Sequence, residues 1–202
     1  MISNSTKNVG VDSVKIQLGP TDIIFPVPAA LVVSGSGDKI NVLTVAWIGM
    51  VSSNPPILAI SLNKRRYSLT LIRESGQFTV NIPSSNMFRE VDYCGLVSGK
   101  SENKFEKVGF TLLSSSIINT PIIKECPYNI ECKVIRKATF GEWVAVFGEI
   151  VETHVDKDKI SSAGKVDVAR IDPLVYCATI REYWSIGKKL GNGFNAGSKY
   201  RK

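Results

Sequence analysis

The sequence has few of the residues that metal sites and dinucleotide-binding domains need. Histidine occurs once, at His154, and no two of the four cysteines form a Cys-x-x-Cys pair. Structural zinc sites draw their ligands from closely spaced cysteines and histidines, so no metal site is expected. The Gly-x-Gly-x-x-Gly fingerprint is also missing, which argues against a Rossmann-type nucleotide domain.

Long apolar runs are missing as well. No segment reaches the roughly 18–20 apolar residues of a membrane helix. The N-terminal residues 1–14 contain no apolar signal core, so we expect a cytoplasmic protein with no membrane partner. In that compartment thiols stay reduced, and we expect four reduced, mostly buried cysteines. They are Cys94, Cys126, Cys132 and Cys177.

Acidic residues are outnumbered, with 18 against 25 basic residues and a net charge of +7. Such a balance permits a nucleic-acid partner. However, the sequence lacks a surface in which basic and aromatic residues alternate, so no nucleic-acid partner is expected. The excess charge falls at residues 64–66 and in residues 188–202, which we predict to be a solvated, poorly ordered tail.

What the sequence does contain is a series of short apolar strands separated by turns. The longest are Tyr128–Phe140 and its antiparallel partner Trp143–His154, with a bulge predicted at Gly148. Two helices are predicted near residues 66–74 and 87–94, and one last strand within residues 175–183. No strand–helix–strand rhythm or repeat is present. We therefore predict a mainly β fold, an antiparallel barrel covered by a few helices. It forms one domain over residues 1–202 with a core at about 20–187.

A cationic cluster, Lys64-Arg65-Arg66, lies between a predicted strand and the start of a predicted helix. A helix N-terminus presents free amides and a positive dipole end, which attract phosphate. Arginine can add a bidentate contact, and hydroxyls follow at Ser61, Ser68 and Thr70. The cluster is either a phosphate site or a solvated basic turn.

A second group of residues lies upstream of this cluster. Thr44, Ala46 and Trp47 precede a predicted loop that contains Ser52 and Ser53 and ends at Asn54-Pro55-Pro56. A flavin ring needs an apolar face and hydroxyl or backbone contacts to its polar edge. Trp47 is therefore a candidate for ring binding, or else a plain core residue.

Several segments, in this order, resemble the flavin reductase-like family of FMN-binding split barrels, and its flavoredoxin branch most of all. One difference is Asn103, which stands where the family usually has aspartate. The matches cover roughly residues 30–187. They are Asn41 with Thr44-Val45-Ala46-Trp47, Asn54-Pro55-Pro56-Ile57, Ser61-Leu62 and Arg66-Tyr67-Ser68; Gly76-Gln77-Phe78-Thr79-Val80-Asn81; Cys94-Gly95, Ser98-Gly99-Lys100 and Lys104-Phe105; Glu131-Cys132-Lys133; Gly148-Glu149-Ile150-Val151 with His154-Val155-Asp156; and Tyr183-Trp184 with Gly187.

The resemblance implies an antiparallel split β-barrel that forms a homodimer and binds FMN non-covalently near the subunit interface. It also implies an oxidoreductase that takes electrons from NADH or NADPH, which bind transiently, and passes them to free flavin, ferric ion or a redox partner. The alternative is a flavoredoxin-type electron carrier without small-molecule turnover.

By motif position, the resemblance also assigns residues to the cofactor. Lys100 is predicted to reach it, or else to be a surface lysine. His154 is the candidate catalytic residue on the substrate side, or else a bystander at a strand end. Tyr183 and Trp184 either wall the pocket or pack in the core. The remaining assignments are Thr44, Ala46, Trp47, Ser52 and Ser53 to the ring, and Ser61, Asn63, Arg66, Tyr67 and Ser68 to the ribityl phosphate.

Overall fold

A computed structural model describes residues 15–22, 24–178 and 180–201. Residues 1–14 and the last residue of the tail lie outside this part. The strands are β1 (Val27–Pro28), β2 (Ala30–Ser36), β3 (Lys39–Val45), β4 (Ile48–Ser53), β5 (Pro56–Asn63), β6 (Gln77–Ile82), β7 (Leu112–Leu113), β8 (Ile122–Ile123), β9 (Tyr128–Phe140), β10 (Trp143–Val155), β11 (Leu174–Cys177) and β12 (Glu182–Ser185). The helices are α1 (Tyr67–Ser75), α2 (Phe88–Leu96), α3 (Lys104–Val108) and α4 (Val168–Ile171), with 3₁₀ turns at Ser85–Met87, Lys157–Lys159 and Ser198–Tyr200.

Seven strands form one antiparallel sheet in the order β3-β2-β6-β9-β10-β5-β4. Its two edge strands, β3 and β4, are consecutive in the chain and are joined by Ala46 and Trp47 alone. Since each residue spans at most about 3.8 Å, the connection can reach only about 11 Å. The sheet must therefore curl until its edges meet. The result is a barrel whose split lies at Ala46 and Trp47.

The sheet is buried on both faces because its strands alternate between two apolar clusters. In β2, Ala30 and Val32 belong to the cluster inside the barrel, which includes Phe78. Leu31 and Val33 point the other way, toward α2 and α3. This explains why β2 is apolar at successive positions. The helices cover the outer face of the barrel at this point.

The bulge predicted at Gly148 is confirmed. The pairing of β9 with β10 shifts register between Phe147 and Gly148. A Cβ at Gly148 would lie 2.6 Å from Cζ of Phe78 and 3.0 Å from Cβ of Cys132. Glycine is required here because the bulge brings the backbone against the core of the barrel.

Three secondary-structure predictions are wrong. Residues 48–53 form β4 and not a loop, since backbone pairing with β5 orders a segment of weak alternation. The single last strand is a hairpin, β11–β12, which pairs with β1. The apolar pair Ile117-Ile118 also predicts a short edge strand, but the structure has this strand at β8. The helix α4 was not predicted, because its four residues show no helical period.

The cysteine prediction is confirmed, because Cys94, Cys126 and Cys132 are buried, Cys177 is half-buried and all four are free. Burial raises the pKa of the Cys94 thiol to about 11, which leaves it protonated and unreactive near neutral pH. Within the described ranges, no helix is long and apolar enough to cross a bilayer.

Candidate functional site

Two cavities meet where β5 ends and α1 begins. The larger has a volume of about 440 Å³ and the smaller about 140 Å³. They share Leu43, Asn63, Arg66 and Trp143 in their walls. Of the residues predicted for the phosphate, the larger cavity contains Asn63, Arg66, Tyr67 and Ser68. The smaller contains Thr44, Ala46 and Trp47, which were predicted for the ring, together with Ser61, which was predicted for the phosphate.

The larger cavity lies at the amino end of α1. Arg66 is the N-cap of this helix, and its side chain makes no capping hydrogen bond. No acidic residue stands in the first turn. The amide of Leu69 donates to the carbonyl of Arg66 at 3.0 Å, so the amides of Tyr67 and Ser68 are left for an external acceptor. An anion is the group that such amides and the helix dipole favour.

Asn63 shapes the turn that carries the arginines. Its carbonyl accepts the backbone amide of Arg66 at 3.0 Å. Its side-chain Oδ1 accepts the backbone amide of Arg65 at 3.1 Å and the guanidinium Nε at 3.3 Å. Arg66 donates from Nη1 to the carbonyl of Gly95 at 3.4 Å. Both guanidinium groups are thus held at the rim of the cavity, where they can meet a phosphate.

Ser68 is oriented from below by Asn41, whose Nδ2 donates to the Ser68 Oγ at 2.8 Å. Ser68 itself is fully buried, so this bond fixes the wall of the cavity at the first turn of α1. The loop at Gly99 closes over Asn41, and a Cβ there would lie 1.9 Å from Oδ1 of Asn41. Gly99 is therefore needed for the loop to form this wall.

Lys104 is a charged residue at the floor of the larger cavity. Its side chain is only 2% exposed. The ammonium donates to the carbonyls of Val42 and Cys94, each at 2.8 Å. Burial lowers the pKa of Lys104 to about 8. A lysine has three donors, so one remains beyond those used to join β3 to α2.

The smaller cavity has an aromatic wall. The rings of Trp47 and Trp143 lie with centroids 4.3 Å apart and planes tilted by 36°. Each indole is 37% exposed. Thr44, on the same edge, uses its hydroxyl to donate to the carbonyl of Val91. Its hydroxyl therefore ties β3 to α2, and its backbone is what remains for a ligand.

Three of the residues predicted to bind the cofactor lie outside both cavities. Ser52 and Ser53 end β4, and the hydroxyl of Ser52 accepts the backbone amide of Asn54 at 3.3 Å. Lys100 lines a neighbouring cavity instead. Their roles at the cofactor stay predictions.

His154 lies in a different environment. Its Nε2 is 2.6 Å from Oε1 of Glu131, a fully buried carboxylate that also accepts the backbone amides of Ser116, Ile117 and Ile118. Burial raises the pKa of Glu131, but the hydrogen bonds from His154 and the amides outweigh it, so the net pKa is lowered. Neither cavity includes His154, and its catalytic role stays a prediction.

The two other aromatic candidates also lie elsewhere. Tyr183 donates to Oδ1 of Asp92 at 3.1 Å, and with Trp184 it lines a shallow groove beside α2. Tyr183 also packs against the outer core cluster. Trp184 is exposed. Neither residue lines the two cavities at the start of α1.

Sequence reasoning missed several residues of the cavities. Trp143 pairs across the sheet with Asn63, but 79 residues of chain separate them, and only strand pairing brings them together. Lys104 lies within a segment that resembles the family, but the resemblance assigned it no role. Arg65 was predicted only as part of the cationic cluster, and the other missed residues are Leu43, Val45, Leu62, Leu96, Val97, Ser98 and Gly99.

The two cavities together suit a long ligand with a flat apolar part and an anionic end. Guanidinium groups and helix amides gather at one end, and two indoles gather at the other. A flavin mononucleotide has this division of properties, so the residues present fit such a group. The polar end matches a phosphate by charge and by hydrogen-bond donors.

Comparison with known proteins agrees with this geometry. The family model of the flavin reductase-like domain matches residues 23–185. The flavoredoxin of Desulfovibrio vulgaris (Miyazaki F) is 34% identical, with a TM-score of 0.86 over 91% of this chain and 99% of its own. The flavoredoxin of Methanosarcina acetivorans is 32% identical, with a TM-score of 0.87 over 94% and 100%.

A third structure bears on the fold alone. A protein of Shewanella frigidimarina with a split barrel domain is 22% identical and covers 83% of this chain and 85% of its own, with a TM-score of 0.75. This confirms the predicted split barrel, and the two flavoredoxins confirm the predicted branch. The chain belongs to the flavin reductase-like family.

Proposed function

We propose that this chain binds FMN non-covalently and passes electrons from NADH or NADPH through it to free flavin, ferric ion or a redox partner. The observation that carries the proposal is the cationic cavity at the start of α1. It shares four wall residues with the tryptophan-lined cavity at the barrel split. Membership of the flavin reductase-like family supports a flavin-binding redox function.

The phosphate would bind at the amino end of α1. Arg65 and Arg66 supply charge and forked donors, and Ser68, which Asn41 holds, fixes the first turn of α1 beside them. Lys104 adds a buried positive charge at the floor, where weak screening makes it count for more than a surface charge. The selectivity expected from this arrangement is for FMN over riboflavin, which has no phosphate.

The ring would lie along the barrel split. Ala46 and Trp47 form the connection between the two edges of the sheet, and Trp143 adds a second indole. Bound flavin supplies one- and two-electron chemistry, and the protein orients it and excludes water. With no Rossmann fingerprint, the nicotinamide nucleotide would bind only transiently.

The homodimer is part of the same proposal. Ser52 and Ser53 lie away from the cavities of their own chain, so they would contact the cofactor only across an interface. Apolar residues next to them on β4 support such an interface, since Met50 is 61% exposed and Val51 is 55% exposed. Exposed apolar patches on a β-sheet edge commonly mark protein contacts.

A second function, an electron carrier with no small-molecule turnover, is favoured by the similarity to two flavoredoxins. The net charge of +7 would steer an acidic protein partner toward it. Four free thiols support a reducing compartment, the cytoplasm.

Anaerobic reduction of the FMN-loaded protein tests the proposal. NADH or NADPH should bleach the flavin absorbance within seconds at micromolar protein, and ferric ion or free FMN should then restore it. If dithionite bleaches the bound flavin and neither nucleotide does, the carrier function holds. A protein that fails to take up FMN at all contradicts both.

A further inference from the structure

We propose that the basic tail, residues 188–202, and the groove beside α2 from which it leaves the barrel form one docking surface for an acidic electron-transfer protein. This inference rests on the proposed function, because it names the surface on which a protein partner of the flavin site would bind. Three features carry it: the charge of the tail, its exposed apolar side chains, and the position of the groove.

The tail holds most of the net charge of the protein. Five of the 25 basic residues and none of the 18 acidic residues lie in it, so it contributes +5 of the net +7 and leaves the rest of the chain at +2. In the described part of the tail, residues 188–201, no basic side chain has an ion pair. Complementary charge steers protein association, so this segment favours a partner with an acidic surface.

The tail also exposes large apolar side chains. Leu190 and Phe194 are fully exposed, and Tyr200 is largely exposed. None of them packs on the barrel, since every residue from Trp184 to Arg201 is exposed. Aromatic side chains are enriched where proteins bind one another, and charge alone would keep a tail solvated. The tail therefore offers apolar contacts as well as charge.

The groove at the base of the tail is apolar and close to neutral. It consists of two adjoining cavities of about 410 and 340 Å³, which share Phe88 and Tyr183 in their walls. Two basic and two acidic residues line it and balance each other. Phe88, Leu96 and Trp184 expose apolar surface within it. An apolar centre with charge at its margin is the common arrangement of a protein interface.

The groove also leads to the candidate flavin site. Leu96, the last residue of α2, lines both the groove and the larger cavity at the start of α1. A protein seated on the groove would therefore lie against the wall of the cavity proposed for the flavin. The tail, which follows directly on β12, would hold the partner there by its charge.

Two other polyanions, an anionic bilayer and a nucleic acid, fit the surface less well. Glycine interrupts the tail at Gly191, Gly193 and Gly197, and in its described residues the one helical segment is the turn Ser198–Tyr200. Such a segment does not form the long amphipathic helix that lies on a bilayer. A single strand of nucleic acid needs a positively charged groove along its backbone, whereas this groove is neutral.

Isothermal titration of the FMN-loaded protein with two acidic carriers, a [2Fe–2S] ferredoxin and a flavodoxin, tests the docking surface. Wild type should bind at least one of them, and less tightly as salt is added. Replacing the five basic residues of the tail by glutamine should weaken binding roughly tenfold or more at low ionic strength. The control has the same net charge, because five exposed lysines of the barrel are replaced by glutamine instead, and it should lose less than about threefold. These are Lys124, Lys133, Lys137, Lys157 and Lys165.

The apolar part of the surface is tested without a change of charge. Phe194→Ser in the tail and Trp184→Ser in the groove should each weaken binding about threefold or more at low and at high ionic strength. Val168→Ser, which removes an exposed apolar side chain on α4, lies outside the groove and should have little effect.

Three results would overturn the docking surface. They are no binding of either carrier, equal losses in the two glutamine variants, and tail-dependent binding to vesicles of phosphatidylglycerol without binding to either carrier. A tail variant that becomes monomeric in light scattering would also overturn it, since the tail would then contact a second copy. Failure of FMN to bind contradicts the proposed function instead. The carriers are then titrated into flavin-free protein, where tail-dependent binding supports the surface and its absence overturns it.

Discussion

The charged side chain of Lys104 is buried between the sheet and the helices that cover it. The carbonyls of Val42 and Cys94 hold its ammonium, while burial lowers its pKa from 10.5 to about 8. Below pH 8 the charge is buried in the folded protein and solvated in the unfolded chain. Between pH 8 and 10.5 the folded protein releases the proton and the unfolded chain keeps it, so stability must rise with pH in this window.

The first prediction follows from that difference. As pH rises from 8 toward 10.5, the free energy of unfolding of wild type should increase relative to that of Lys104→Met, by at most about 1.4 kcal/mol per pH unit. Urea unfolding of both proteins at several pH values measures it. The difference in unfolding free energy between wild type and Lys107→Met, a substitution on the exposed face of α3, should not change with pH. A difference between wild type and Lys104→Met that also stays constant would contradict the lowered pKa of Lys104.

Some residues of the candidate site could be predicted from the sequence, and others could not. Arg66 and Ser68 could be predicted as one site because they lie close together at a strand–helix junction, whereas Asn63 was assigned from the family resemblance. Trp143 could not, since strand pairing alone brings it to Asn63. His154 was predicted to face the substrate from its motif position, yet in the fold its ring meets the buried carboxylate of Glu131. A side chain's partner depends on the opposite strand, which the local sequence does not specify.

Among the elements, those with a complete local signal were predicted well. The strand β9 follows its alternating residues from Tyr128 to Phe140, and α1 ends at Gly76, whose φ of 68° favours glycine. The strand β4 has little alternation of its own and is held by pairing with β5. The β11–β12 hairpin was read as one strand because its turn carries no glycine or proline.

The bulge in β10 gives the second prediction. Gly148→Ala should lower the free energy of unfolding by about 1–3 kcal/mol, because the added methyl meets Phe78 and Cys132 in a packed core. Gly187→Ala, after β12, is the matched control, since no atom lies within 4 Å of its Cβ position. It should change stability by less than about 0.5 kcal/mol. Equal effects of the two substitutions would contradict the packing described at the bulge.

The whole molecule leaves an apolar surface on the edge strand of its barrel, and the third prediction concerns this surface. Light scattering after size exclusion should give twice the chain mass of 22.1 kDa for wild type. Val51→Asp should give the monomer mass and bind FMN more weakly, because a charge would be buried in the interface. Leu190→Asp, in the exposed tail, should remain a dimer. A monomeric wild type that binds FMN fully would contradict the dimer.

In the proposed function, the flavin lies where two chain segments meet, at the amino end of α1 and at the split of the barrel. The phosphate contact is the most specific consequence, because riboflavin shares the ring and lacks only that group. Arg66 lies in both cavity walls, and Arg73, exposed near the other end of α1, offers a control of equal charge on the same helix.

Fluorescence titration of flavin-free protein with FMN and with riboflavin is therefore the decisive measurement. Wild type and Arg73→Ala should bind FMN at least about tenfold more tightly than riboflavin. Arg66→Ala should lose roughly tenfold in FMN affinity, the worth of a charged hydrogen bond, while riboflavin affinity changes much less. Equal losses for both ligands, or a wild type that does not distinguish them, would contradict phosphate binding at the start of α1.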